Sequence, residues 1–289
     1  MASTQQLKSR IRSVKSTKQI TKAMQMVAAS KMRRAQEATK SSQAYTVAAR
    51  ELLTYLAAQG ATNGHKWFTV RPVKSRLLIV VASDKGLAGA YNANILKSYV
   101  HELKSDDAAN IANKTIAVGR KIAQAATRIK DTEIVGTYED LPDHFSGAEF
   151  HAILNTAKDM FEANQVDAVD VIFTRFVSSL TQRADVVRLF PAGFTPTDNV
   201  QPDIAEARFE PSPKQIIDDI AYRLISARLF QALMDSRASE HSMRMLAMKN
   251  ATDNATDLVD ALTLEMNKAR QAAITQELTE ISAGVEAMR

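Results

Sequence analysis

The chain has 289 residues, enough for about two domains, and with 45% apolar and 24% charged residues its composition is globular. It contains no cysteine, which excludes disulfide frameworks, thiolate zinc sites, iron–sulfur clusters and cysteine nucleophiles. The longest apolar run, residues 77–82, is far shorter than the roughly 20 residues of a membrane span, and the N-terminus shows no secretory signal. We therefore expect a soluble, intracellular protein.

The net charge of +5 is unevenly distributed along the chain. Residues 1–58 carry 11 Lys or Arg against two acids, Glu37 and Glu51, whereas the rest is slightly acidic. If this segment is helical, four of its basic residues fall within an arc of about 80°: Lys8, Arg12, Lys15 and Lys22. A solvated face is the default explanation of such a pattern. The alternative is a partner with acidic groups, which could be a protein, a nucleic acid or a lipid surface.

Glycine and proline divide the chain into three segments. Neither residue occurs before Gly60 or between Lys214 and Ala283, so each end predicts an unusually long helix. Pro213 suits the first position of the second helix, where its missing N–H is not needed. We therefore predict an N-terminal coiled-coil helix at residues 1–59, an α/β domain with a proline-rich exit segment at 60–212, and a C-terminal coiled-coil helix at 213–289.

The two long helices are predicted to pair as an antiparallel coiled coil. Twelve seam positions of the second helix follow alternating steps of four and three: Met234, Ala238, His241, Met245, Met248, Thr252, Ala255, Val259, Leu262, Met266, Ala269 and Ala273. The first helix offers an apolar stripe that changes phase near Lys18: Leu7, Ile11, Val14, Ile20, Met24, Val27, Ala28, Met32 and Ala35. Because the second helix is longer, its polar tip is expected to protrude as a single helix.

The middle segment alternates strand and helix patterns. Five strands are predicted at residues 76–82, 115–118, 133–135, 169–176 and 185–190, and three helices at 92–104, 120–129 and 147–163. Such alternation predicts a mostly parallel sheet, with the last two strands antiparallel because their connection is short. The fold class is therefore α/β, with a Rossmann-like domain inserted into the coiled coil.

The residues give little sign of chemistry. The turn at 84–90 follows a strand and contains Gly86 and Gly89, but it matches neither the P-loop nor the dinucleotide fingerprint, so a tight βα turn is favoured over nucleotide binding. No two of the five histidines have the i, i+4 spacing of a helical zinc site, and no nucleophile-elbow motif is present. We expect no catalytic residue, no metal and no cofactor.

Four motifs resemble the γ subunit family of bacterial F-type ATP synthases. They are ITKAMQMVAASKM at 20–32, SDKGL at 83–87, MKNATDN at 248–254 and NKARQAAITQELTEI at 267–281, and they lie in order along the whole chain. The resemblance implies a central rotor shaft that couples rotation of the c-ring, driven by proton flow, to conformational change at the α/β catalytic sites. The implied partners are three α and three β subunits, the ε subunit and the c-ring, with no nucleic acid.

The resemblance also implies roles for particular residues. Rotor–stator contacts are implied at Met24, Arg244, Arg270, Gln271, Thr275 and Glu277, with Arg270 and Gln271 on the catch loops of β. Phe209 and Glu210 correspond to the foot that meets the c-ring and ε, although the family more often has tyrosine at the position of Phe209. The implied location is peripheral, on the cytoplasmic face of the bacterial cell membrane, with the membrane contacted only through the c-ring.

One alternative from a different class remains open at this point. A coiled-coil adaptor could bind nucleic acid or anionic membrane through the basic N-terminal helix. The first aromatic residue is Tyr45 and no known nucleic-acid module is present, which disfavours the nucleic-acid form of this hypothesis.

Overall fold

The computed structural model describes residues 4–58, 60, 62–130, 132–142, 148–193 and 213–288. The chain forms two compact units, one made of residues 1–28 and 244–289 and the other of residues 29–243. We call them the coiled-coil unit and the α/β unit. The sequence analysis divides the chain into three consecutive segments, which is a different kind of division from these two compact units. The three-segment division stays a prediction.

The order of elements follows the predicted alternation. The helices are α1 (Thr4–Ala58), α2 (Tyr91–Ala108), α3 (Arg120–Ala126), α4 (Ala148–Glu162) and α5 (Pro213–Ala287). The strands are β1 (Ser75–Val81), β2 (Ala112–Val118), β3 (Glu133–Tyr138), β4 (Ala168–Phe176) and β5 (Gln182–Phe190). All predicted helices and strands are present, and α5 begins at the predicted proline. The predicted proline-rich exit lies mostly in 194–212, outside the described residues.

The α/β unit is built on a five-stranded sheet with the order β3-β2-β1-β4-β5. Strands β1 to β4 are parallel, and β5 pairs antiparallel with β4, as predicted. Side chains of a strand alternate between the two faces. Leu78 and Val80 therefore pack into a core with α2 and α3, while Leu77, Ile79 and Val81 pack into a core with α4 and α5. Burial on both faces explains the unbroken apolar run of β1.

A buried ionic network ties the middle strands to α2. Arg76 on β1 donates to Asp170 on β4 at 2.5 Å, to Asp106 at 3.0 Å and to Glu102 at 2.9 Å. Arg188 on β5 donates to the same Asp170 at 2.7 and 2.8 Å. Burial raises the pKa of Asp106, against the opposing effect of Arg76. Because every buried charge here has a partner, the network stabilises the register of three strands.

Helix α5 packs against the sheet through a stripe of buried serines. Ser236 shares a hydrogen bond of 2.7 Å with the Tyr91 hydroxyl, and Ser239 donates to the carbonyl of Thr174 at 3.2 Å. One turn further, Ser242 donates to the carbonyl of Ser179 at 2.8 Å. Small hydroxyl side chains let the helix approach the backbone closely while satisfying buried polar groups. The carboxyl ends of β1 and β4 are covered by α5 as a result.

Asp235 lies next to this stripe and is only 8% exposed. Burial raises its pKa from 3.8 to about 6, although the positive charge of Arg175 acts in the opposite direction. No hydrogen bond or ion pair to its carboxylate is formed within the described part of the chain. At neutral pH the α/β unit therefore contains an ionised, buried carboxylate that has no direct hydrogen-bond or ion-pair partner among the described residues.

The coiled-coil unit pairs the start of α1 with the later part of α5. Leu7 and Ile11 pack with Leu262, and further along α1 the Thr21 hydroxyl lies 2.7 Å from that of Thr252. Residue numbers rise along α1 as they fall along α5, so the helices are antiparallel. The predicted antiparallel coiled coil is confirmed within this unit.

The predicted phase change near Lys18 is wrong. Ile20 and Val27 are 58% and 56% exposed, whereas Thr21 is buried and Lys18 and Gln25 are partly buried. The seam of α1 therefore keeps one phase in steps of four and three: Leu7, Ile11, Val14, Lys18, Thr21, Gln25 and Ala28. The sequence prediction followed the apolar residues, but the middle positions of the seam are polar: Lys18, Thr21 and Gln25. The aliphatic parts of Lys18 and Gln25 can cover apolar surface while their polar ends stay in water.

From Met248 to Ala269 the predicted seam of α5 is confirmed, whereas Met234, an earlier predicted seam position, packs in the core of the α/β unit. Met248, Thr252, Ala255 and Leu262 are buried, and Met266 and Ala269 pack against the cluster around Leu7. Ala273, the last predicted seam position, is exposed. Seam contacts therefore end one turn earlier than the heptad pattern does.

Gly119→Ala should destabilise the protein strongly. Gly119 joins β2 to α3 with φ +99°, and an added Cβ would lie 2.2 Å from the carbonyl oxygen of Ala82. Backbone must move to remove that clash, so we expect a loss of about 2 kcal/mol or more in the free energy of unfolding, measured by urea denaturation. Gly86→Ala is the matched control, since nothing lies within 4 Å of its added Cβ. Equal stability of the two variants would contradict the geometry at Gly119.

Asp235→Asn should stabilise the protein at neutral pH and not in acid. The raised pKa means that the folded state binds the proton more tightly than the unfolded chain, so the stability of the native protein falls as pH rises from 3.8 to about 6. Asparagine removes that loss. The variant should match the native protein near pH 4 and exceed it by on the order of 2–3 kcal/mol at pH 7.5. Urea denaturation across this range, with exposed Asp107→Asn as control, would reveal a pH-independent difference if the account is wrong.

Candidate functional site

The tip of α5 carries four of the implied contact residues on an exposed helix. Residues 270–283 are all exposed, and Arg270, Gln271, Thr275 and Glu277 lie among them. The tip is held by bonds within the helix: the Thr275 hydroxyl donates to the carbonyl of Gln271 at 3.0 Å, and the Gln276 amide donates to Glu280 at 2.9 Å. Among the described residues, the apolar core of the coiled-coil unit includes no side chain of α5 beyond Ala269.

The tip also presents an apolar stripe that was not predicted from the sequence. Ile274, Leu278 and Ile281 are 49%, 60% and 64% exposed and follow the i, i+4, i+7 spacing of one helix face. A solvated helix has no need of such a stripe, and contiguous exposed apolar side chains mark interaction surfaces. The spacing was visible in the sequence, but the surrounding Gln, Thr and Glu residues suggested a purely polar tip.

The basic face of α1 has the exposure that a docking surface needs. Lys8, Arg12, Lys15 and Lys22 are all exposed, and the Lys22 ammonium donates to Gln25 at 3.3 Å. Across the residues that the structure covers, none of the four forms an ion pair with a carboxylate. Their positive charge is thus not compensated within the unit.

The remaining implied contact residues differ in their placement. Met24 and Arg244 are both partly buried in the coiled-coil unit. Next to Met24, three large apolar side chains are exposed on α1: Ile20, Met26 and Val27. Phe209 and Glu210, the implied foot residues, lie outside the described residues.

The carboxyl edge of the sheet is the place where nucleotides bind in many parallel α/β folds, and here a side chain of the protein occupies it. Asp84 follows β1, and its Oδ1 accepts the backbone N–H of Arg120 at 3.0 Å and that of Asp140 at 3.1 Å. Arg120 is the first residue of α3, so the carboxylate stands where a phosphate would meet the helix N-terminus. This fits the interpretation of residues 84–90 as a tight turn.

The same edge is covered by α5. Tyr91 at the start of α2 bonds to Ser236, and a Cβ added to Gly89 would come within 3.9 Å of the carbonyl of Met243. Gln182 at the start of β5 donates to Ser242 at 3.2 Å. The crevice between β1 and β4 is therefore filled by protein, and no sequence pattern predicted that serines of the C-terminal helix would close it.

The described histidines do not assemble into a site. His65 bonds to Asp218 at 2.5 Å, His151 bonds to the Tyr222 hydroxyl at 3.0 Å, and His241 is buried on α5. Among the residues described, no three His, Asp or Glu side chains come together as metal ligands would. None of the described helices has the length and hydrophobicity to cross a membrane.

The chain matches proteins of one family over its whole length. The family model described as ATP synthase covers residues 3–288. The ATP synthase gamma chains of Staphylococcus epidermidis and Desulforamulus reducens are 35% and 38% identical over 288 residues, with 100% of each chain covered. These matches confirm the family resemblance and lend no support to the nucleic-acid or membrane adaptor.

Solved structures confirm the fold. A chain from the OSCP/F1/c-ring part of the mitochondrial ATP synthase of Euglena gracilis aligns with a TM-score of 0.68 at 17% identity, over 99% of this chain and 94% of that one. A chain from the central stalk and c-ring of the Tetrahymena thermophila enzyme aligns with a TM-score of 0.61 at 24% identity, over 80% and 99%. Sequence and fold agree: the chain belongs to the ATP synthase gamma chain family.

Proposed function

We propose that this chain is the central rotor shaft of an F1Fo ATP synthase, coupling rotation of the c-ring to conformational change at the α/β catalytic sites. The observation that carries the proposal is the exposed tip of α5, where Arg270, Gln271 and an apolar stripe stand uncovered at the end of a coiled coil. A tip of this kind is suited to contact a surrounding protein. Full-length similarity to ATP synthase gamma chains supports the proposal that this surrounding protein is a ring of three α and three β subunits.

Coupling requires that the shaft present different surfaces to different subunits. In the coiled-coil unit the α1 side is basic at Lys8, Arg12 and Lys15, while α5 carries exposed acids at Asp253 and Asp257. A catalytic subunit facing one side thus meets a different charge from a subunit facing the other. Differential contact of this sort is what allows a ligand, here the shaft, to favour one conformation over another.

The subunit itself is proposed to be non-catalytic. The carboxyl edge of its sheet is closed by Asp84 and by α5, which argues against nucleotide binding there. Nucleotide chemistry would then belong to the α/β interfaces. The α/β unit would serve as a rigid body that joins the shaft to its neighbours.

Particular contacts follow from the exposed groups. Arg270 is exposed and makes no ion pair with any described residue, so its guanidinium is available for a bidentate bond to a carboxylate on a catch loop of β. Gln271, Thr275 and Glu277 would lie in the same contact. The basic face would meet acidic loops of β, and Met24 with Arg244 would lie where the shaft transmits torque.

Phe209 and Glu210 are proposed to face the c-ring and ε. The subunit would then sit peripherally on the cytoplasmic face of the bacterial membrane, held there by the c-ring. No resident cofactor or metal is needed for this role.

Co-expression with α and β subunits tests the proposal directly. We expect one copy of this chain in a complex with three α and three β subunits that hydrolyses ATP, measured by size exclusion, native mass and an ATPase assay. If α and β assemble without the chain, and adding it changes neither mass nor turnover, the rotor proposal is wrong.

Arg270→Ala should weaken coupling without unfolding the chain. Because the side chain is exposed and unpaired within the described residues, its loss should leave the thermal unfolding of the isolated subunit unchanged. Loss of a charge-assisted bidentate contact costs about 2 kcal/mol, so ATP-driven proton pumping in membranes carrying the complete enzyme should fall by up to about thirtyfold.

Lys268→Ala is the matched control for this variant. Lys268 is also exposed, but it lies two positions earlier on a different face of α5. It should keep most of the pumping activity. An equal loss in both variants would assign the effect to the general charge of the tip, and unfolding of the Arg270 variant would show that the residue is structural.

A further inference from the structure

A cavity of about 630 Å³ lies in the α/β unit between the β4–β5 pair and α5. Its walls are largely apolar and include Phe68, Phe173, Val186, Val187 and Pro191. This volume is in the range of small-molecule sites, which combine apolar walls with a few polar groups at fixed positions. None of its lining residues belongs to the tip of α5 or to the turn that contains Asp84.

Asp235 lines the cavity with a carboxylate that lacks a partner. More than nine-tenths of the residue is buried, and within the described part of the chain it makes no hydrogen bond or ion pair. Two arginines of the same cavity are committed elsewhere: Arg175 donates to Asp185 at 2.6 Å, and Arg188 donates to Asp170 at 2.7 Å. The carboxylate is thus left facing the cavity without a cation of its own.

Arg228 lines the same cavity on the same helix face, and it forms no hydrogen bond or ion pair with any described residue. Burial lowers its pKa, and so does the positive charge of Arg50 on α1. The Nε of Arg50 is itself buried without an acceptor among the described residues. The positive charge of Arg50 thus adds to that of Arg228 at this end of the cavity, which favours an anion there.

The spacing of these charges defines the shape of a ligand. Arg228 and Asp235 are seven residues apart, two helical turns or about 10 Å along α5, and Gln231 lies between them on the cavity wall. Phe173 and Val187 stand on the sheet side. The cavity thus offers a site for an anion, an apolar passage and a site for a cation in a row.

We propose that this cavity binds a small zwitterionic organic molecule, with its ammonium group on Asp235, its carboxylate or phosphate on Arg228, and an apolar chain between them. Each charge of such a ligand would compensate a buried charge of the protein. The proposal is independent of the rotor function, because no residue of the tip or of the basic face is involved.

A series of ω-amino carboxylates tests the charge separation. The probes are 4-aminobutanoate, 6-aminohexanoate, 8-aminooctanoate and 10-aminodecanoate, titrated into the full-length chain by calorimetry and by the fluorescence of Trp67, whose neighbour Phe68 lines the cavity. Affinity should peak near the eight-carbon probe, whose extended length is close to about 10 Å. Octanoate and octylamine, which carry one charge each, should bind at least tenfold more weakly.

Variants locate the two ends of the ligand. Asp235→Asn should lower the affinity for 8-aminooctanoate at least tenfold but leave the affinity for octanoate unchanged. Arg228→Gln should also lower the affinity for 8-aminooctanoate at least tenfold, but it should leave the affinity for octylamine unchanged. Asp107→Asn and Arg183→Gln, both exposed and away from the cavity lining, are the matched controls. Circular dichroism establishes that each variant is folded.

Three results would overturn the proposal. Absence of binding by every probe at millimolar concentration is one, and affinity that rises steadily with chain length is another, because it indicates apolar partition alone. The third is equal binding by the native chain and both cavity variants. None of these results bears on assembly with α and β subunits, so failure here and failure of the rotor proposal remain distinguishable.

Discussion

The close packing of α5 on the sheet is the interaction on which the architecture of the α/β unit depends. A helix can lie over the ends of strands only if its contacting side chains are small, and Ser236, Ser239 and Ser242 meet that condition while bonding to Tyr91, Thr174 and Ser179. Larger residues at these positions would hold the helix away from the backbone and leave its polar groups unsatisfied. The serines thus provide proximity and hydrogen bonding together.

That packing also fills the position at which many proteins of similar topology bind a ligand. In a parallel sheet of this order that position is the crevice at the carboxyl ends of β1 and β4. Here the crevice is occupied by α5, and the helix N-terminus beside it is occupied by Asp84. The Rossmann-like topology has been retained as a scaffold, which illustrates that function follows from the site rather than from the fold.

Much of this fold could be predicted because its signals are local. The strand β1 is an almost uninterrupted apolar run, and α5 is indicated by the absence of glycine and proline between Lys214 and Ala283. The seam of α1 was misread for a physical reason: Ile20 and Val27 are apolar yet exposed, while Lys18 and Thr21 carry the seam. An apolar pattern reports burial only where the protein surface is polar, and a surface made for another protein breaks that rule. Asp84, Asp235 and Arg228 could not be predicted at all, because their significance lies in neighbours distant in sequence.

The tip of α5 shows how a segment with little stability of its own can still be helical. An isolated helix of about 14 residues is marginal in water, because nucleation is unfavourable and few bonds repay it. The tip continues a helix already nucleated by the coiled coil, so each added residue needs only propagation. Threonine hydroxyls at 275 and 279 bond back to the preceding turn, and Gln276 bonds to Glu280. The helix can therefore leave Ile274, Leu278 and Ile281 uncovered, since its backbone does not depend on their burial. Its exposed surface remains available for contacts outside the chain, and the proposed contact with the α and β subunits requires this property.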